Sequence, residues 1–446
     1  MIIFKKYSSL KPVIFLKPVR IIGYCCFLFL FTTCKKEITE SEISSSAIHY
    51  LKGSNNDKVT RIRATKDGGF IFCGNTMVGL SNTQGFMLKV DGNGKQQWYK
   101  TYGNSTKTTL NDAIECADGS FIAVGGTIYK EGFDLEYVMK ADAKGNKQWE
   151  RSYSYGSYAI CGLNSVIQVS DNKIYATGGY PSTRSYVASW IVCFDLDGNL
   201  IYDQKIEGLP NYQPKYFNDN INVLNNCGSM NLAINSSNDL LISTLLDVYI
   251  FSDQSHIYCP GLLSVKKDKK TVNFFYPYVD KTSFNSYQGG SIYKVIPVND
   301  GNLLCYNSDV NLGSFNYPQI IITKTDLNGV PVWTKMFRGL NSAVIHETFI
   351  ESDNSITIIG ATSSFPTNNE FKESFINANS LVLKLDNNGN ELFSAYSKNT
   401  SNVEIYKSIQ KTANDEFLVA GYTSLNSTSY HKMFIKNLDH KAQLKF

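Results

Sequence analysis

Charge is scarce in this chain, with Asp, Glu, Lys and Arg together making up 18% of 446 residues. Only 5 His, 4 Trp and 11 Pro are present. The histidines, at positions 49, 256, 346, 431 and 440, include no pair at ligand spacing. None of the 10 cysteines forms a Cys-x-x-Cys pair, so no metal site is expected. Asp195-Leu196-Asp197-Gly198-Asn199 opens like a calcium loop but lacks the further carboxylates and the downstream Glu. The sequence contains no Gly-x-Ser-x-Gly elbow and no phosphate-cradling Gly loop, which removes the commonest nucleophilic hydrolases and P-loop enzymes. No cofactor is expected. Long apolar stretches are also missing: the run Ile21 to Phe31 is too short for a comfortable helical membrane span.

That run has the setting of an export signal. Lys5, Lys6, Lys11, Lys17 and Arg20 precede it as a basic region, and Cys34 follows Phe31-Thr32-Thr33. The segment resembles the lipobox of bacterial lipoproteins, and Cys34-Lys35-Lys36 is similar to the mature start of many Bacteroidota lipoproteins. The resemblance implies a signal peptide over 1–33, lipidation of Cys34, and a place in the cell envelope, on the outer membrane. Residues 34–46 are polar and Ser/Glu-rich, as a flexible tether requires. Removing 1–33 takes five of the 43 basic residues and none of the 39 acids, so the mature body is near neutral. With charges of both signs interspersed, it carries no electrostatic footprint for nucleic acid.

What is abundant is repetition. Asp67-Gly68-Gly69-Phe70-Ile71-Phe72-Cys73-Gly74 is followed by Asp91, Gly94 and Trp98, and the same order returns with Asp118, Gly125, Asp142, Gly145 and Trp149. A period of roughly 50–60 residues marks an array of structural repeats. The Asp/Gly/aromatic turn recurs at Asp195/Gly198/Tyr202, Asp326/Gly329/Trp333 and Asp386/Gly389/Phe393, and more weakly at Asp268 and Asp439. The Asp side chain can accept from amides of its own turn, Gly takes the left-handed position, and the aromatic can fill the space between neighbouring sheets. Each repeat carries four strand patterns, in the second repeat Leu110–Ala117, Phe121–Tyr129, Leu135–Ala141 and Lys147–Tyr153. The expected fold of residues 47–446 is therefore all-β, a seven-bladed β-propeller of four-stranded antiparallel blades. The last repeat stops where its fourth strand would begin, so residues 47–53 are expected to supply that strand and close the ring.

The pattern resembles the β-propeller repeats of bacterial secreted proteins and lipoproteins. Its Asp…Gly…Trp turn is also similar to the docking motif of quinone-dependent dehydrogenases. That family carries a longer spacing, eight blades and a vicinal disulfide, whereas the one adjacent pair here, Cys25-Cys26, lies in the leader.

Function is expected on the face with variable connections, read as long loops at 203–230, 245–260, 276–290, 307–318 and 361–379. Their Tyr212, Tyr216, Asn218, Tyr249, Tyr258, Tyr276, Tyr278, Tyr287 and Tyr317 suit stacking on sugars or binding of extended peptides. Cys227 and Cys259, in irregular stretches of one repeat, are a candidate disulfide. The other strand cysteines, at 73, 116, 161, 193 and 305, read as buried hydrophobes. The resulting expectation is a lipid-anchored binding module for a glycan, peptide or envelope protein. Two alternatives are an envelope enzyme on surface polymers (hydrolase, lyase or degenerate quinoprotein) and a structural subunit of an envelope complex.

Overall fold

The computed structural model describes residues 49–53, 56–79, 82–103, 107–128, 134–153, 162–169, 172–180, 188–206, 208–209, 221–250, 255–266, 272–273, 287–288, 292–311, 316–337, 343–362, 379–396, 403–411, 417–424 and 431–438. Among these the secondary structure is strand, with no helix. A two-residue strand, β1 (His49–Tyr50), comes first. Repeat units follow in chain order. The first is β2 (Asp57–Ala64), β3 (Phe70–Val78), β4 (Asn82–Val90) and β5 (Gln96–Tyr102). The second is β6 (Lys107–Glu115), β7 (Phe121–Ile128), β8 (Asp134–Ala141) and β9 (Lys147–Tyr153), and the third is β10 (Leu163–Gln168), β11 (Ile174–Tyr180), β12 (Ala188–Phe194) and β13 (Leu200–Ile206).

The fourth unit comprises β14 (Gly208–Leu209), β15 (Ile221–Ile234), β16 (Leu240–Ile250), β17 (Ser255–Val265) and β18 (Val272–Asn273). The fifth has β19 (Tyr287–Gln288), β20 (Ile292–Val298), β21 (Gly301–Asn311), β22 (Asn316–Thr325) and β23 (Pro331–Phe337). The sixth is β24 (Ala343–Ile350), β25 (Ile356–Thr362), β26 (Asn379–Leu385) and β27 (Glu391–Tyr396), and the last is β28 (Val403–Lys411), β29 (Phe417–Ser424) and β30 (His431–Leu438).

Each unit is an antiparallel meander of its own strands. One parallel bridge, Thr83 to Lys107, joins the first two units into a single eight-stranded sheet. The last sheet takes β1 as its fourth strand, with His49 opposite Ile435, Tyr50 opposite Phe434, and Leu51 N donating to Met433 O at 3.0 Å. The chain start thus covers an edge of the final sheet that would otherwise expose unpaired backbone groups.

Cores form between units, because the middle strands of each sheet are apolar on both faces. Phe72, Phe86 and Leu88 of the first unit pack with Leu418, Met433 and Ile435 of the last. The opposite face of the first unit, through Ile71, Cys73 and Met87, packs on Leu110, Phe121 and Met139 of the second. Val124 and Val138 then meet Leu163, Trp190 and Val192 of the third. Similar clusters continue from unit to unit along the chain. The first strands β2, β6, β10, β15, β20, β24 and β28 each touch the next, and β28 touches β2. Cys73, Cys116, Cys193 and Cys305 are free thiols buried in these cores.

The motif turns tie the units together. Asp91 Oδ1 accepts the amides of Asn93 and Lys95 at 3.0 Å, and Asp142 does the same for Lys144 and Asn146 at 2.9 and 2.8 Å. Asp195 and Asp386 cap their turns alike, and Asp326 Oδ1 accepts from Val330 N at 2.8 Å, with Gly329 in the left-handed region. Trp98 reaches across to the next unit's turn, donating from Nε1 to Ala143 O at 3.0 Å, while Tyr102 donates to Gly145 O at 2.8 Å. Trp149 and Tyr153 repeat this on Leu196 O and Gly198 O. Trp333 lies against Gly389, Tyr202 packs edge-on against Tyr175, and Phe393 is buried between the sixth and last units.

Two expectations need correction. Segments 245–250, 255–260, 307–311 and 316–318 are strand rather than loop: β16 with β17, and β21 with β22, form hairpins that continue in register to Ile250/Ser255 and Asn311/Asn316. Runs such as Val248-Tyr249-Ile250 and His256-Ile257-Tyr258 are strong strand formers, and a missing repeat Gly does not change that. Likewise 221–230, placed in a loop, belongs to β15. Cys227 and Cys259 therefore sit on β15 and β17, with β16 between them: Cys227 pairs with Leu245, and Cys259 with Leu246. Two interstrand spacings separate their backbones by about 9–10 Å, beyond the ~7 Å that a disulfide tolerates. The register does not bring this pair together.

Candidate functional site

The first strand of every unit carries a register shift. It falls at Thr60 in β2, Asn111 in β6, Asn164 in β10, between Cys227 and Asn231 in β15, at Tyr293 in β20, His346 in β24 and Lys407 in β28. An extra residue on one strand bends it and re-aims the neighbouring side chains. The residue opposite the shift is Gly74, Gly125, Gly178, Gly360 or Gly421 in five of the units. Its physical reason is a close backbone approach: a Cβ on Gly125 would lie 1.9 Å from Thr109 O, and one on Gly360 2.0 Å from Val344 O. In these five units the repeat Gly within the second strand admits the bulge.

The residue after the bulge reaches into the next unit. Asp112 accepts from Val166 N at 3.0 Å, Ser165 Oγ from Leu232 N at 3.2 Å, and Asn231 Oδ1 from Val295 N at 3.4 Å. Lys294 Nζ donates to Thr348 O at 3.1 Å. This belt joins successive first strands by side chain to backbone.

Charged groups gather on the belt. Arg63 grips Asp112 through two of its guanidinium nitrogens, Nη2 on Oδ2 and Nε at 2.7 Å from Oδ1. Arg61 lies 3.7 Å from the same carboxylate. Burial alone would raise the Asp112 carboxyl, but Arg63 and Arg61 together hold it below the ordinary range. Lys294 pairs with Glu347. Burial, and then the charges of Arg63 and Arg61 from the first unit, push the Lys294 ammonium down to about 7. Lys407 Nζ is 3.1 Å from His346 Nδ1. Burial, and then Arg61, lower Lys407 to about 8, while burial and Lys407 keep His346 well below its usual value. His431 stacks on Tyr422 at 3.7 Å and accepts from Val59 N at 3.0 Å, and burial followed by Lys407 and Lys58 brings it to about 4.

Groups from the first, second, fifth, sixth and last units thus share one electrostatic neighbourhood. Four cations, Arg61, Arg63, Lys294 and Lys407, face two carboxylates, Asp112 and Glu347, with His346 neutral. Arg61, Arg63, Lys294 and Glu347 remain 18–31% exposed, so the cluster is neither dry core nor open surface. Such an arrangement has the chemistry to accept an anion, and amines near neutrality can exchange protons. Among the described residues, no group of three His, Cys, Asp or Glu could hold a metal ion. A separate cavity of about 220 Å³ lies between the fifth and sixth units, but its Lys324 is already bound to Asp300 at 2.8 Å.

The expected rim falls differently. Cys34, Tyr212, Tyr216, Asn218, Tyr276 and Tyr278 lie outside the described residues. Tyr249 and Tyr258 are on the β16–β17 hairpin, opposite His256 and Asp247. Tyr287 on β19 and Tyr317 on β22 both stand opposite Val310 of β21. Sequence reading did not find the residues of this charged cluster; the signal available was the repeat Gly, which marks the bulge in the neighbouring strand.

No family model matches the sequence, and no curated protein matches it. Among solved structures, an ulvan lyase described as a polysaccharide lyase bound to -[GlcA(1-4)Rha3S]- aligns with a TM-score of 0.52 at 8% identity, over 88% of this chain and 96% of its own. A second polysaccharide lyase gives 0.48 at 9% identity, covering 90% and 94%. The β-propeller domain of the Trilobed protease from Pyrococcus furiosus gives 0.41 at 7% identity, covering 86% and 94%. The structural neighbours are β-propeller folds, and at these identities the likeness is one of fold.

Proposed function

We propose that the chain is a closed seven-bladed β-propeller, lipid-anchored in the cell envelope through Cys34, that binds an acidic glycan at its axial cluster. The observation that carries this reading is the excess of cations there: Arg61, Arg63, Lys294 and Lys407 converge from three units with Asp112 and Glu347 as the facing carboxylates. The mature body as a whole is near neutral, so this local excess is not a by-product of overall basicity. Contact of each first strand with the next, and of β28 with β2, supports ring closure. The ulvan lyase, a structural neighbour seen bound to a uronate- and sulfate-bearing sugar, supports this choice of ligand. Tyr212, Tyr216, Asn218, Tyr249, Tyr258, Tyr276, Tyr278, Tyr287 and Tyr317 are proposed to stack on or hydrogen-bond the flanking sugar rings.

A glycan array comparing uronate-bearing, sulfated and neutral chains tests this. Retention of acidic chains, weakened by Arg61→Ala and Lys407→Ala, is expected. Preference for neutral chains, or indifference to both substitutions, refutes it. Replacing Cys34 by Ser should move the protein from the detergent phase to the aqueous phase; an unchanged partition removes the anchor.

One observation favours a second reading, an enzyme on the same polymers. Lys294 and Lys407 are amines brought to about 7 and 8, where a base can act at neutral pH. In β-elimination of a uronate, the base takes the proton next to the carboxylate, that electron pair forms C4=C5, and the C4–O bond breaks with the leaving oxygen protonated. Appearance of the ultraviolet absorbance of the unsaturated product would establish this reading, and intact chains after long incubation would leave the binder.

A further inference from the structure

A narrower assignment, resting on the axial reading above, comes from which donors in the cluster are left over. Asp112 holds Nε and Nη2 of Arg63, the latter also 3.5 Å from Ser165 Oγ, and Glu347 together with Thr348 O engages Lys294. Arg61, His346 and Lys407 are situated differently. Arg61 keeps a single longer pair, 3.7 Å, to a carboxylate already held by Arg63. Lys407 has His346 Nδ1 as its hydrogen-bond partner at 3.1 Å. An ammonium there donates to Nδ1, which leaves the neutral imidazole with its proton on Nε2. Nε2 is buried and meets no acceptor. Buried donors are nearly always satisfied, and an orphan calls for an ion, water or ligand that completes it.

Arg61 and Lys407 thus keep N–H groups beyond these single contacts, and His346 Nε2 has no partner among the described residues. They come from adjacent strands of the ring, β2, β24 and β28, which touch one another in sequence. Arg61 and Lys407 are close enough for the charge of one to disfavour that of the other, an arrangement an anion between them would relieve. Among the described residues the carboxylate paired with Arg61 is Asp112, which Arg63 already holds, while His431 is neutral against Tyr422 and Lys58 is a further cation. We propose that Arg61, His346 Nε2–H and Lys407 form an oxyanion subsite that takes one carboxylate or sulfate group of the acidic glycan.

The test uses the full-length protein titrated with inorganic sulfate in one arm and glucuronate in the other, each also as a competitor of an acidic oligosaccharide. The expected result is saturable binding in at least one arm, and the arm that saturates identifies the source of the oxyanion. Arg61→Met, His346→Phe and Lys407→Met should each weaken it roughly tenfold or more, the usual effect of losing a charge-assisted donor. Lys324→Met, in the separate cavity, should leave it unchanged. His346→Gln keeps an N–H donor and should retain more affinity than His346→Phe. In the wild type, the His346 Nε2 resonance should shift on saturation. If that resonance stays fixed, or the three variants bind like the wild type while the acidic oligosaccharide still binds, the subsite is wrong and the axial reading survives. If no acidic ligand binds at all, both fall.

Discussion

Gly119 and Gly145 hold the same backbone angle, φ of +78°, in turns of the same unit, yet their surroundings differ. A Cβ on Gly119 meets nothing within 4 Å, whereas on Gly145 it would lie 2.8–3.0 Å from three ring atoms of Trp98. Replacing either by Ala incurs the left-handed penalty of about 1–2 kcal/mol. Only Gly145→Ala must also displace an indole by about 0.7 Å to restore an ordinary carbon contact of ~3.5 Å. That movement stretches the 3.0 Å bond from Trp98 Nε1 to Ala143 O and forces overpacking, which typically costs about 1–3 kcal/mol. Gly145→Ala should therefore be about 1–3 kcal/mol more destabilising than Gly119→Ala. Urea unfolding followed by circular dichroism measures both without relying on tryptophan emission. The double variant Trp98→Ala/Gly145→Ala should be less destabilised than the two single changes summed, because truncation of the ring removes the clash. Equal losses for the two glycine variants, or strict additivity in the cycle, would refute the idea that Trp98 wedges successive units apart.

Other expected outcomes concern the axis and the closure. Asp112→Ala strips Arg63 of its partner and frees Val166 N and Ala113 N, and should cost about 3–5 kcal/mol as a broken buried pair; a loss below about 1 kcal/mol would show that the belt does not hold the ring. Affinity for an acidic glycan should fall as pH rises from 6 to 9, because Lys294 and then Lys407 lose their charge through about 7 and 8. Lys407→Met should flatten the upper part of that profile, and a flat wild-type profile in isothermal titration would exclude the two amines. Deleting residues 35–53 removes β1 and its pairing with β30, and should lower the melting temperature substantially; an unchanged value would show that β1 does not close the ring.

The fold was legible because its signals are local. Asp91, Gly94 and Trp98 lie within eight residues, and each enforces its own geometry through a cap, a left-handed angle or a flat ring. Strand pairing of residues 49–50 could be foreseen from a repeat that lacked its last strand. The β16–β17 and β21–β22 hairpins were missed because their repeat Gly is replaced and polar residues interrupt the alternation, while pairing with each other keeps them extended. The charged cluster was illegible for another reason. Arg61, Asp112, Lys294, Glu347 and Lys407 come mostly from different units, separated by tens to hundreds of positions, and each looks like an ordinary polar residue on a half-solvated strand. Their meeting depends on contacts between units far apart in the chain, such as β28 with β2, which no window of sequence contains.

The recurring bulge also separates two kinds of position within each unit. Thr60, Asn111, Asn164, His346 and Lys407 occupy inserted positions, outside the register that aligns the hydrophobic layers. Thr60 and Asn111 use those positions to donate to Leu110 O and Leu163 O of the following unit, so a substitution there is felt first by the neighbouring sheet and not by the paired rows of its own.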